Sequence, residues 1–187
     1  MWGVPMDEVM YSKFFTVFMQ NSNVMPWDGF ATTESTYLPD ARNQIHKAFV
    51  ENSDLPYLFM IDSDVMIPPN AAERLLAHKL PVVAVYYCNK QVKSSKHPIV
   101  YDFVSESEGA YNWRHRKEPG TGLEKVDGVG TGCILMRREV AVKLGSTPYN
   151  MEKGTEDLVL CKKLMDFQIP LHVDWSINCA HLGVRYV

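Results

Sequence analysis

An apolar run that ends in two carboxylates constrains this chain more than any other feature. Residues Leu55–Ile61 read Leu-Pro-Tyr-Leu-Phe-Met-Ile, and Asp62, Ser63 and Asp64 follow at once. A continuous apolar run is typical of a strand that is covered on both faces at the centre of a parallel sheet. Carboxylates directly beyond such a strand need a compensating cation, because desolvating a charge is costly. The segment therefore predicts an α/β fold with an acidic site at the carboxyl edge of its sheet.

Strand and helix signals alternate along the rest of the chain. The predicted strands are Trp2–Pro5, Leu55–Ile61, Pro81–Tyr87, Val126–Arg137 and Leu171–Asp174. The predicted helices are Asp7–Gln20, Pro39–Val50, a helix from Asn70 to about Lys79, and Thr155–Phe167. From Cys88 to Lys125 the pattern weakens, which indicates long loops or a hairpin. We therefore predict one α/β domain over residues 1–187 with a mostly parallel central sheet.

Composition narrows the functional classes. The net charge of −3 lacks the overall positive excess expected of a nucleic-acid-binding protein. No segment predicts a membrane span, and the first residues lack the basic stretch that opens a signal peptide. The four cysteines stand singly, which argues against zinc or redox pairs and for reduced, mostly buried thiols: Cys88, Cys133, Cys161 and Cys179. We predict a cytoplasmic protein whose partner is a small molecule.

The Asp62–Asp64 pair carries the first chemical signal. Asp-x-Asp is common in solvated turns, and only its position behind a buried strand favours metal binding here. Carboxylate oxygens suit hard ions such as Mg²⁺ or Mn²⁺, which keep coordination positions open for substrate phosphates. A metal in this place would neutralise a leaving diphosphate rather than activate water. We therefore predict that Asp62 and Asp64 hold a divalent metal against the diphosphate of a nucleotide donor.

Two further segments are candidates for the same site. Thr155 is a predicted helix cap, and Glu156 and Asp157 follow in the first turn, where the helix dipole favours acids without any catalytic role. The alternative is a general base that takes the proton of an attacking hydroxyl. His181, near the end of the last predicted strand, is either structural or a metal ligand beside the carboxylates. The residues alone leave both alternatives open.

The glycines of Gly128–Cys133 do not form a dinucleotide-binding motif. Cys133 replaces the third glycine of Gly-x-Gly-x-x-Gly, and no helix follows directly. The sequence also contains no Gly-Lys-Ser/Thr phosphate loop. These glycines would instead let a ligand or another backbone approach the strand closely.

Taken in order, these segments closely resemble the GT-A glycosyltransferases of the family 2 type. The matching segments extend over nearly the whole chain: Ala41-Arg42-Asn43, Asp62-Ser63-Asp64, Gly130–Cys133 before Leu135–Arg138, Thr155–Asp157 and His181–Gly183. The resemblance implies one minimal, Rossmann-like nucleotide-diphospho-sugar transferase domain. Its first 90 residues or so would hold the nucleotide sugar and the metal, and residues from about 91 to 187 would hold the acceptor.

The resemblance also implies a role for each matching residue. The donor, most often a UDP-sugar, would be bound by Pro5, Arg42, Asp62, Ser63 and Asp64. The protein ligands of Mn²⁺ or Mg²⁺ would be Asp62, Asp64 and His181. The acceptor side would include Thr131 and Gly132. Asp157 would be the base of an inverting, hexosyltransferase-like reaction, with Glu156 beside it.

Departures from the family narrow the predicted activity. The chain lacks the Gln-x-x-Arg-Trp motif and the membrane segments of processive polysaccharide synthases, so transfer of a single sugar is expected. Its compactness resembles that of short phage-encoded members, for which the location would be the host cytoplasm and the acceptor a modified DNA base or a glycan. The basic run Trp113–Lys117 would then meet phosphates, and a solvated loop is the alternative.

Two other functions fit part of the same pattern. A nucleotidyltransferase would use strand-end carboxylates and a metal on a nucleoside triphosphate, but the Gly-rich phosphate loop expected after Pro5 is missing. A non-catalytic nucleotide-sugar-binding module would keep the fold without turnover, and the presence of Asp157 argues against it.

Overall fold

Two sheets and five helices make up the part of the chain that the structure, a computed structural model, describes: residues 1–5, 12–24, 29–33, 37–88 and 97–182. The strands are β1 (Trp2–Pro5), β2 (Phe30–Thr33), β3 (Tyr57–Ile61), β4 (Val65–Met66), β5 (Val82–Tyr87), β6 (Val100–Ser107), β7 (Ala110–His115), β8 (Leu123–Val126), β9 (Gly128–Val129), β10 (Cys133–Arg137) and β11 (Leu171–His181). The helices are α1 (Ser12–Val24), α2 (Leu38–Asn52), α3 (Ala71–Ala77), α4 (Arg138–Leu144) and α5 (Glu156–Asp166).

The large sheet is mixed, so the prediction of a mostly parallel sheet holds only in part. Its strand order is β2-β1-β3-β10-β5-β11-β4, and β8 also pairs with β11. β1 runs parallel to β2 and β3, and β5 runs parallel to β11. β10 is antiparallel to both β3 and β5, and β4 and β8 are antiparallel to β11. A parallel strand has to be reached through a crossover connection, usually a helix. The chain enters β10 from the small sheet and not through such a helix, so β10 can run antiparallel to its neighbours.

The predicted buried strand is confirmed as β3. Leu58–Ile61 are each no more than 2% exposed. Leu58 and Met60 lie in one core cluster with residues of α2, whereas Phe59 and Ile61 lie in a second cluster with residues of α1. Each face of β3 is therefore covered by its own layer, as the continuous apolar run predicts.

Several other predicted elements are present, some of them with shifted bounds. The strand Trp2–Pro5 is confirmed, and the hairpin expected between Cys88 and Lys125 is formed by β6 and β7. The predicted helix Asp7–Gln20 begins in residues outside the described part, and its described portion is α1. The predicted strand Leu171–Asp174 continues to His181 after an irregularity between Asp174 and Asn178.

The predicted single strand Val126–Arg137 is wrong and is replaced by two short strands. β9 pairs with β6 in the small sheet of β7, β6 and β9, whereas β10 enters the large sheet beside β3. The segment Gly130–Gly132 connects them, and a Cβ added at Gly130 or at Gly132 would collide with the Tyr87 hydroxyl. The glycines thus permit the close approach that the sequence predicts, but at a change of sheet.

The four cysteines are free thiols, and three of them, Cys133, Cys161 and Cys179, are buried as predicted. Among the described residues, none of the helices combines the length and the apolar character that crossing a membrane requires.

Candidate active site

Asp62 lies where β3 ends and β10 begins. Its backbone N–H donates to the Gly132 carbonyl at 2.8 Å, which extends the pairing of the two strands by one step. The chain then turns, since the N–H of Val65 donates to the Asp62 carbonyl at 3.0 Å. The carboxyl end of β1, at Pro5, lies at the same edge because β1 and β3 are parallel. The acidic turn is therefore anchored to the edge predicted from the sequence.

The buried guanidinium of Arg42 joins three carboxylates at this edge. Arg42 lies in α2 and is 1% exposed. Its Nη2 donates to both oxygens of Asp62, at 2.8 and 3.1 Å. Its Nη1 donates to Glu156 at 2.8 Å and also to Oδ1 of Asp157. Charge-assisted hydrogen bonds of this kind fix side-chain positions closely. We call Arg42, Asp62, Glu156 and Asp157 the arginine cluster.

Burial and charge act against each other in the arginine cluster. Burial raises the pKa of Asp62, and the charge of Arg42 only partly opposes this effect. The pKa of Glu156 is raised for the same reason, with a further contribution from Asp157. Burial alone would lower the pKa of Arg42, but the charges around it, those of Asp157 and Asp62 first, together raise that pKa well above its ordinary value. The guanidinium therefore stays charged among more carboxylates than it can neutralise.

Asp157 is the more accessible of the two acids in the first turn of α5. Its side chain is 21% exposed, against 11% for that of Glu156. Thr131 Oγ1 donates to the same Asp157 oxygen, Oδ1, that Arg42 contacts. Thr155 is the N-terminal capping residue, as predicted, but its side chain makes no capping hydrogen bond. Glu156 and Asp157 thus form hydrogen bonds with side chains outside α5. A favourable interaction with the helix dipole would not by itself require such partners.

Asp64 and His181 form a second pair next to the arginine cluster. β11 pairs with β4, so His181 is the register partner of Val65, and Leu182 donates its N–H to the Asp64 carbonyl at 2.8 Å. His181 Nε2 lies 3.4 Å from Asp64 Oδ2. Neighbouring ligands of an octahedral ion, each about 2.1 Å from the metal, are roughly 3 Å apart. The pair therefore fits two adjacent positions on one cation.

Asp62 does not join this pair in the structure. Within the described part of the chain, no three His, Cys, Asp or Glu side chains form a group that could hold a metal ion. Asp62 instead directs both carboxylate oxygens toward Arg42. Its predicted role as a metal ligand stays a prediction, and so do those of Asp64 and His181. Gly183, the last residue of the matching segment, lies outside the described residues.

The remaining predicted residues lie at the same edge. Pro5 is buried at the end of β1, and Ser63 is partly exposed in the acidic turn. Thr131 is fully buried against Asp157. Arg42, predicted to border the nucleotide, is enclosed by carboxylates. Their contacts with donor or acceptor remain predictions.

Tyr87 is a site residue that the sequence analysis missed. Its hydroxyl accepts a hydrogen bond from the Gly132 N–H at 2.8 Å, and its ring meets that of His181 edge-on at 5.0 Å. Burial, then the charges of Asp157 and Asp62, raise the pKa of Tyr87 well above its ordinary value, so the phenol stays neutral. The sequence signal that could have found Tyr87 is its position as the last residue of the predicted strand Pro81–Tyr87. Tyr87 thus contacts both His181 and Gly132, and the carbonyl of Gly132 accepts the hydrogen bond from Asp62.

Substitution of Gly132 with alanine is expected to destabilise the protein. The added Cβ would lie 2.5 Å from the Tyr87 hydroxyl and 2.9 Å from Asp62 Oδ2, and both groups are held by hydrogen bonds. Overpacking of this kind costs about 1–3 kcal/mol. Chemical denaturation measures the loss in unfolding free energy. Gly154→Ala is the matched control, since no atom lies within 4 Å of its added Cβ; equal losses in the two variants would contradict the expected clash.

Comparison with known proteins identifies the fold. No protein-family model matches the chain, and no curated protein matches its sequence. Among solved structures, A197 from STIV matches with a TM-score of 0.73 and 17% identity over 98% of this chain and 85% of that chain. GalNAc-T7, crystallised with UDP, GalNAc and Mn²⁺, matches with a TM-score of 0.56 and 13% identity over 96% of this chain and 37% of that chain. At these identities the likeness shows that this chain shares the fold of the two structures.

Proposed function

We propose that this protein is a metal-dependent glycosyltransferase that moves one sugar from a UDP-sugar to an acceptor hydroxyl, with inversion and with Asp157 as the base. One observation carries the proposal: a pair suited to a cation, Asp64 and His181, lies at the same sheet edge as Asp157, an accessible carboxylate fixed by hydrogen bonds. The fold shared with GalNAc-T7, a GT-A glycosyltransferase, supports a nucleotide sugar as the donor.

The donor side would be organised around Asp64 and His181. The cation that they hold, Mn²⁺ or Mg²⁺, would supply positive charge for the diphosphate that leaves with the nucleotide. The arginine cluster supports this role, because its three carboxylates exceed the single charge of Arg42 and create a negative potential that a cation relieves. Asp62, fixed by Arg42, would complete the donor side at the position that the sequence predicts.

The acceptor side would be organised around Asp157. Both hydrogen bonds that the described residues donate to this carboxylate end on Oδ1. Oδ2 is then the atom that would take the proton of the attacking hydroxyl. Glu156 is more deeply buried and bonded to Arg42, so it would act by positioning Arg42 and, through it, Asp157.

Binding of UDP is expected to require both the metal and the Asp64–His181 pair. Isothermal titration of UDP in the presence of Mn²⁺ should show saturable binding that a chelator abolishes. Asp64→Ala and His181→Ala should each weaken this binding by at least about tenfold, because each removes one ligand. Asp54→Ala, which removes an exposed carboxylate before β3, is the matched control. A UDP affinity that is unchanged by the chelator and by both substitutions would exclude the proposed site.

Product analysis separates this function from nucleotidyl transfer. Release of UDP from a UDP-sugar together with a glycosylated product is the expected result. Release of pyrophosphate from a nucleoside triphosphate, with no turnover of the UDP-sugar, would assign the protein to the nucleotidyltransferases instead.

A further inference from the structure

Three aromatic rings contact one another at the small sheet. Tyr101 of β6 and His115 of β7 are register partners, and their rings stack at 4.9 Å with an interplanar angle of 23°. His97 meets the His115 ring edge-on, with centroids 5.9 Å apart. All three residues are partly exposed. We call Tyr101, His115 and His97 the ring stack.

Backbone carbonyls hold the two imidazoles in place. His115 Nε2 lies 2.7 Å from the Pro98 carbonyl oxygen, and His97 Nδ1 lies 2.7 Å from that of Lys117. A carbonyl only accepts, so each imidazole carries a proton on the nitrogen named and donates it. The rings are thereby fixed before any ligand arrives, which reduces the entropy lost on binding.

The ring stack lies next to the proposed base. Tyr101 is also the register partner of Gly128 in β9, and three residues further on Thr131 donates to Asp157. β9 packs against α5, since the Val129 N–H donates to Cys161 Sγ at 3.4 Å. Burial raises the pKa of Tyr101, and the charge of Asp157 raises it further. A molecule against Tyr101 would thus be close to Asp157.

Charge pairing on the hairpin favours a neutral occupant. The guanidinium of Arg114 is bonded to Asp102 at 3.0 Å, and that of Arg116 to Asp102 and Glu124, each at 2.8 Å. Trp113 packs edge-on against Phe103 at 5.1 Å. The run Trp113–Lys117, predicted either to meet phosphates or to be a solvated loop, is largely a strand whose arginines already have acidic partners. A polyanion would have to compete with these partners, whereas a neutral ring would not.

We infer that the ring stack binds the apolar face of a neutral sugar ring of the acceptor, so that one of its hydroxyls reaches Asp157. The inference rests on the proposed function and adds the class of acceptor to it. Flat, partly exposed aromatic faces beside a polar group are the usual means by which a site holds a ring and orients its polar edge.

Saturation-transfer NMR with methyl hexopyranosides tests this inference in the presence of UDP and Mn²⁺. The glucoside, galactoside and mannoside are the probes, and titration gives the dissociation constant of any that binds. Tyr101→Ala and His115→Ala should each weaken sugar binding by about tenfold, the effect of removing a central aromatic contact. Tyr101→Phe should bind as the wild type, because it keeps the ring. Phe167→Ala, which removes a 42% exposed ring at the other end of α5, is the control.

Two readouts keep the outcomes distinct. The first is UDP affinity, which should stay within about twofold of the wild type in every variant, since the ring stack lies on the proposed acceptor side. The second is thermal unfolding, which confirms that each variant is folded. Wild-type protein that does not bind UDP would overturn the proposed function. Wild-type protein that binds UDP but no methyl hexopyranoside would overturn the inference alone. Sugar binding that survives both alanine substitutions, or binding of a short single-stranded oligonucleotide in place of the sugars, would also overturn it.

Discussion

Replacement of Arg42 with methionine is expected to lower the unfolding free energy by about 3–5 kcal/mol at neutral pH. Methionine fills much of the same volume, but it leaves the carboxylates of Asp62, Glu156 and Asp157 in a buried site without their counter-charge. Breaking a buried ion pair from one side is costly because the remaining charge stays desolvated. Urea denaturation followed by circular dichroism gives the free energy.

The expected loss depends on pH, and its sign follows from the direction of the pKa shifts. Burial raises the pKa of Asp62 and Glu156 in the folded protein, and Arg42 opposes this in both. Without Arg42 both pKa values rise further, so the folded state binds more protons than the unfolded state between about pH 4 and the raised values. Stability of Arg42→Met should therefore fall as pH rises through this range, and the deficit should be smaller at about pH 4 than at pH 7.

Arg114→Met is the matched control for this experiment. Arg114 also pairs with an aspartate, but its side chain is 74% exposed. Exposed pairs of this kind contribute less than about 1 kcal/mol. Similar losses in the two variants, or a loss in Arg42→Met that does not change with pH, would contradict the role of Arg42 as the counter-charge of the cluster.

Replacement of Asp157 with asparagine is expected to reduce sugar transfer by a factor of about 10²–10⁴, the usual contribution of a general base. The asparagine amide oxygen can still accept the hydrogen bonds from Arg42 and Thr131, so the cluster keeps its geometry. What is lost is a carboxylate that can take the proton of the acceptor. Initial rates of UDP release with a saturating acceptor measure the effect, and UDP affinity in the presence of Mn²⁺ should stay within about twofold.

Two controls bracket the Asp157 result. Asp166→Asn removes a carboxylate at the other end of the same helix, where the side chain is 57% exposed, and should leave transfer unchanged. Glu156→Gln should reduce transfer less than Asp157→Asn, because Glu156 would position Arg42 and would not take the proton itself. Full activity of Asp157→Asn would exclude this residue as the base. A loss of transfer that weaker UDP binding explains completely would exclude it as well.

The sequence was sufficient where local pattern carries the information. The strand β3 and the acidic turn after it were predicted closely, because burial on both faces requires a continuous apolar run. The hairpin of β6 and β7 was one of two predicted outcomes for a segment in which the helix signal is weak. Several short segments, taken in order, predicted an α/β fold, and the chain does share its fold with GalNAc-T7.

The direction of β10 was not predictable from these patterns. A strand has the same alternation of side chains whichever way it runs, so periodicity does not reveal its orientation among its neighbours. The prediction of a mostly parallel sheet rested on the alternation of strand and helix signals, which holds for β3, α3 and β5. β10 instead follows the small sheet and a glycine-containing connection, and it enters the large sheet antiparallel to β3 and β5.

The sequence by itself determined that an acidic turn would end the central strand, and that further acids would open a later helix. Only the tertiary structure decided which charges meet. Arg42 contacts Asp62 20 residues away, and Glu156 and Asp157 114 and 115 residues away. No local pattern encodes such partners, because they are brought together by the order of strands in the sheet and by the packing of α2 and α5 at one edge. Burial then makes their pairing necessary, since desolvated carboxylates require a counter-charge.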